Sequence, residues 1–105
     1  MKSQNILDGI PDVLDEELFH VLAQKGAVKI QRIVSKGHSS PKSGWYDQEQ
    51  DEWVIILQGS AMVTFEGNSE ERLETGSYLN IPAHTKHKVS WTSPDIETVW
   101  LAIHY

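Results

Sequence analysis

From Gly26 onward the chain is built of short runs in which apolar and polar residues alternate, and this period of two restricts its fold more than any other feature. Val28 and Ile30 alternate with Lys29 and Gln31, and Ile33 and Val34 follow. The stretch SKGHSSPKSG, residues 35–44, is rich in Ser, Gly and Pro and reads as a loop. Beyond it come WYDQ, EWVIILQ, SAMVTFE, ERLE, SYLNI, KHKVSW and IETVWLAIHY, with breaks at Gly59, Gly67-Asn68, Gly76, Pro82-Ala83 and Ser93-Pro94. Many short strands at regular spacing predict a sandwich or barrel. Closing the sheet also removes the edges that would otherwise aggregate.

Ahead of Gly26 the period is different. Leu14, Leu18 and Leu22 recur every fourth residue with Val21 beside them, which predicts one short helix over residues 14–25. Asp12 or Asp15 would cap it, Glu16 and Glu17 suit its positive end, and Lys25 with Gly26 supplies the stop. At 105 residues the chain is long enough for one domain and too short for two. The expected organisation is a single domain over 1–105, with 1–26 an arm and helix and 28–105 a β-barrel.

Composition narrows the function. With 39% hydrophobic and 23% charged residues the chain has the means to fold, so disorder is not expected. No apolar run approaches the roughly 20 residues of a membrane span, and MKSQNILDGIPD lacks the apolar core of a secretory signal. An intracellular, cytoplasmic protein is expected. There is no cysteine, so disulfides, thiolate metal sites and a Cys nucleophile are excluded. Nine Lys and Arg against fifteen Asp and Glu give a net charge of −6, and Arg32 and Arg72 are the only arginines. Phosphate backbones call for a basic surface, so nucleic acid is not an expected partner. The sequence contains neither GxGxxG, GxxxxGK[ST] nor GxSxG, and His84-Thr-Lys-His87 is not HExxH.

Two stretches carry a family resemblance. Gly76-Ser-Tyr-Leu-Asn-Ile-Pro82-Ala-His84-Thr-Lys-His87 has the spacing of the second conserved motif of the cupin superfamily, with His84 where that motif has glycine. Glu52-Trp-Val-Ile-Ile-Leu-Gln-Gly59 matches the latter half of the first motif. The paired histidines that precede that glutamate are absent. Their slots fall in Trp45-Tyr46-Asp47-Gln48, on either Trp45 and Asp47 or Tyr46 and Gln48. Over residues 28–105 the chain thus resembles a small RmlC-like cupin. The resemblance implies an all-β jelly-roll barrel, here with a short N-terminal helix, often paired into a homodimer.

The resemblance also implies a metal centre. Metal-bearing cupins hold Fe, Mn, Ni or Zn with three histidines and a glutamate, and of those slots only Glu52 and His87 are unchanged here. Asp47 or Gln48 would fill a vacant one, giving an oxygen-rich set suited to a first-row divalent ion. Tyr46 and His38 are the candidate proton carriers beside it. His84 reads as a turn residue and His104 as a structural histidine, because strand alternation groups Trp100, Ala102 and His104 without saying which face is inward. The expected activity is that of a metal-dependent cupin, oxygenase or isomerase-like, acting on a small organic molecule. The alternatives are a cupin that binds or senses a small molecule without turnover, and a structural protein with a filled barrel.

Overall fold

The structure, a computed structural model, describes residues 1–105. Eight strands follow one another: β1 (Leu18–Lys25), β2 (Val28–Ser35), β3 (Glu52–Gln58), β4 (Ser60–Phe65), β5 (Glu70–Glu74), β6 (Tyr78–Ile81), β7 (His87–Thr92) and β8 (Thr98–His104). They form two facing sheets, one of five strands in the order β1-β2-β8-β3-β6 and one of three in the order β5-β4-β7, all neighbours antiparallel. This is the all-β, two-sheet arrangement that the alternating runs predict, and the jelly roll that the family resemblance implies.

The predicted helix over 14–25 does not form. Leu18–Lys25 is β1, joined to β2 by the turn at Gly26-Ala27, and the chain contains no helix at all. The reason lies in the neighbour. β2 is paired with β8 on one side, and without β1 its other side would present a row of unpaired backbone groups. Gly26, at φ +56°, takes the first central place of a two-residue hairpin turn that needs this conformation. Pairing from Leu18↔Val34 to Lys25↔Val28 overrides a leucine spacing that reads equally as Phe19 and Val21 alternating with His20 and Leu22. With no helix present, none is long and apolar enough to cross a membrane.

The core lies between the sheets. Val54, Ile56, Ala61, Val63, Leu73, Ile81 and Trp100 are buried together, and Ile33, Phe65, Leu79 and Val89 pack against them. Gly59 alone carries the chain from β3 in one sheet to β4 in the other. Its φ is +93°, and a Cβ there would stand 2.7 Å from Thr98 Cα. A side chain has neither the backbone conformation nor the space at this corner.

On the outer face, the first residues are tied down by Arg32. Its guanidinium is buried and donates to the carbonyls of Ile6 (3.0 Å) and Asp8 (2.6 Å) and to His20 Nδ1 (2.6 Å).

Candidate functional site

One end of the inter-sheet space stays open as a cavity of about 220 Å³. Strand register explains its lining. Glu52 on β3 stands opposite His104 on β8, which stands opposite Lys29 on β2, so the three side chains share the inner face in one row. His87 enters from the other sheet, at the start of β7. The 40–46 segment runs beside β7 through paired backbone bonds between Ser40 and Val89 and between Tyr46 and His87. This sets the Tyr46 ring 5.7 Å from the His87 ring. WYDQ is therefore held by a single bridge and is not a full strand.

Glu52 is the centre of the group. It is buried, and each of its oxygens faces an imidazole: Oε1 lies 3.5 Å from His87 Nε2, and Oε2 lies 3.8 Å from His104 Nε2. His87 is 4% exposed. Its Nδ1 sits 2.7 Å from the carbonyl of Thr85 and donates to it, which leaves Nε2 directed at the carboxylate. Gln48 and Tyr46 line the same space. Phe19, Ile33, Val54, Ile81, Val89 and Trp100 form an apolar wall.

The environment sets the two histidines apart. Burial pulls the His87 pKa down, but the contact with Glu52, the Thr85 carbonyl and the Glu52 charge outweigh it, and the net shift is upward. For His104 burial again pulls down, Glu52 pushes up and Lys29 pulls down, and the net shift is downward. The Tyr46 phenol is raised by burial, against a lowering contact from Ser40 and with the charges of Glu17 and Glu52 adding to the rise. It keeps its proton at neutral pH.

The sequence-derived candidates separate cleanly. Glu52, His87, Gln48 and Tyr46 come together in the cavity. Of the two pairings left open between residues 45 and 48, Tyr46 and Gln48 face inward. Asp47 does not: its carboxylate is 2.8 Å from His84 Nδ1, with both side chains substantially exposed. Alternation against its neighbours sends it to the rim. His38 does not either. Its Nδ1 accepts from the Lys36 backbone N–H at 2.9 Å and its Nε2 lies 3.2 Å from the Asp15 carbonyl, so the ring ties two loops together and lies outside the cavity lining. His84 takes the glycine slot of the motif with φ +61°, a left-handed conformation that histidine enters more readily than most residues. His104 was missed as a site residue. The Trp100-Ala102-His104 alternation was its signal, masked because the opposite row, Leu101 and Ile103, is equally apolar. No three His, Asp or Glu side chains form a preassembled metal cluster.

The comparisons agree with this fold. The family model described as Cupin domain matches residues 31–104, and the chain belongs to the cupin family. A crystal structure from Ralstonia eutropha JMP134, of a protein provisionally named a mannose-6-phosphate isomerase, is 40% identical. The match covers 99% of this chain and 97% of that one, with a TM-score of 0.93. A cupin superfamily protein from Desulfitobacterium hafniense DCB-2 is 26% identical over 90% of this chain and 82% of its own, with a TM-score of 0.74. The Fe(II) enzyme HppE, crystallised with its substrate, shares the fold alone: 13% identity over 84% of this chain and 53% of that one, TM-score 0.70. No curated protein matches the chain in sequence.

Proposed function

We propose that the protein binds a divalent metal ion through Glu52, His87 and His104, with Gln48 as a further donor, and acts on a small organic molecule held in the cavity. The observation that carries this reading is a buried carboxylate whose two oxygens each face an imidazole Nε2. Two histidines and one carboxylate are a donor set suited to first-row divalent ions. The Thr85 carbonyl supports it, because metal-binding histidines typically donate their second ring N–H to such a group. Donors bound at about 2.1 Å on adjacent positions stand roughly 3 Å apart. The pairs at 3.5 and 3.8 Å are within 1 Å of that spacing.

A bound ion would supply Lewis-acid polarisation of a ligand oxygen. The chain does the rest. Thr85 fixes the His87 tautomer, Tyr46 offers a phenolic proton next to His87, and the apolar wall receives the body of the molecule. The sugar phosphate suggested by the Ralstonia protein's name does not suit this cavity. Lys29 is the one permanent cation in the lining, against two carboxylates, Glu17 and Glu52, and no arginine faces inward.

Elemental analysis tests the reading. Protein purified after growth with Fe, Mn, Ni and Zn should carry about one equivalent of one of them, lost in Glu52→Gln and in His87→Gln. The wider-than-chelating spacing favours a second reading, a metal-free cavity that binds a small molecule without turnover. No metal above trace, with ligand binding retained, selects it.

A further inference from the structure

The cavity is electrically lopsided, and the asymmetry points to the charge of its ligand. Lys29 lines the inner face of β2 and is only partly exposed, yet its ammonium has no carboxylate within 4.0 Å and no hydrogen-bond partner. Buried charges are ordinarily paired, and a partly covered ammonium with no such partner is left open to an anion from outside. Of the carboxylates nearby, Glu49 borders the same mouth but makes no ion pair with Lys29, and Glu52 lies two strands away across His104, on the order of 10 Å between backbones. Its two oxygens face His87 and His104.

The other carboxylate of the lining sits at the far end. Glu17 bonds the Ser35 hydroxyl at 2.7 Å, six residues along β2 from Lys29, a separation of roughly 20 Å in an extended strand. It neither pairs with Lys29 nor repels an anion placed there. Around Lys29 the lining offers two amide side chains, Gln31 and Gln48. Lys29, Gln48 and His104 also border a second, shallower depression beside the Gly26-Ala27 turn, together with Glu49 and Gln50, which places them at the mouth of the cavity. Beyond them lies the apolar wall of Phe19, Ile33 and Trp100.

We infer that the ligand is a small organic monocarboxylate whose carboxylate pairs with Lys29 at the mouth and whose apolar body lies against the wall, toward Glu52 and His87. One cation fits a single negative charge, and flanking amides complete the hydrogen bonds of its oxygens. The inference rests on the cavity being the ligand site, as proposed above, but not on the metal.

The test is calorimetric binding of butyrate and benzoate against the uncharged isosteres butyramide and benzamide, before and after chelation. Wild-type protein should favour each acid over its amide by on the order of 10-fold, the scale of one charge-assisted hydrogen bond. Lys29→Gln should erase that preference and Lys29→Arg should keep it. Thermal unfolding of Lys29→Gln checks that the barrel still forms, and Lys29→Met serves as the second neutral variant if it does not. Equal binding of acid and amide, or binding of neither, overturns the inference. So does a preference that survives Lys29→Gln and disappears on chelation, since the anion would then be held by the metal. Absence of metal from a protein that still prefers the acids overturns the metal reading and leaves this one standing.

Discussion

His87 and Glu52 meet across the two sheets. Nε2 of the one, on β7 of the three-stranded sheet, lies 3.5 Å from Oε1 of the other, on β3 of the five-stranded sheet. The contact is possible because both residues sit at strand starts, where the sheets have not closed on each other and the core gives way to the cavity. A carboxylate this deep would be costly without partners, and here both of its oxygens have one.

The donor set predicts a pattern among single variants. Glu52→Gln, His87→Gln and His104→Gln should each lower metal affinity by at least 10-fold, read by competition with a chromophoric chelator. Asp47→Asn and His38→Gln should leave it unchanged, since those side chains bond to His84 and to the loop backbone. Metal loss in Asp47→Asn with His104→Gln unaffected would sink the assignment.

The two imidazoles should titrate in a fixed order in metal-free protein. With His104 shifted down and His87 shifted up from 6.5, His104 should lose its proton at the lower pH when ring protons are followed by NMR. The stability signs are opposite. His87, raised in the folded state, contributes stability that is complete below pH 6.5 and lost as pH rises through its folded value. His104, lowered, costs stability as pH falls from 6.5 toward its folded value. His104→Gln should therefore raise the melting temperature at pH 5 relative to pH 8, and His87→Gln should lower it. The same sign for both would refute the electrostatic description.

Gly59→Ala should destabilise the fold by roughly 2–4 kcal/mol, combining left-handed strain with the overlap on Thr98. A chemical denaturation midpoint within error of wild type would show that the corner between the sheets yields freely. Gly44, also at positive φ but with open space around it, should lose only the smaller conformational share on the same change.

Arg32→Met should release the amino-terminal arm. It removes the donors held by Ile6, Asp8 and His20, with a loss of about 1–3 kcal/mol. Limited proteolysis between residues 1 and 13 should accelerate severalfold while the barrel remains resistant. Unchanged cleavage would mean that the arm is held by its apolar residues alone.

Much of this architecture was legible in the residues, because period-two runs broken by Gly and Pro admit few alternatives. The failure at 14–25 came from a partner that local pattern does not contain: an unsatisfied edge of β2 outranks a leucine every fourth residue. The site divided in the same way. Glu52 and His87 sit on motif positions and were readable. Tyr46 and Gln48 needed the inward phase of a segment held by one bridge, and a two-residue choice could not be made without it. His104 required knowing that β8 lies between β2 and β3 with Ala102 facing in, which depends on pairing between residues about 50 to 75 positions apart.

That central place of β8 bears on how the protein comes into being. Until residues 98–104 have left the ribosome, β2 and β3 have no neighbour to bridge them, and Glu52 faces only one of its two imidazoles. Nascent chains shorter than this carry two sticky, half-satisfied ribbons and no binding-competent chamber. The cavity thus takes shape only once residues 98–104 are available to pair, and shorter translation products should be the species that chaperones and proteases meet.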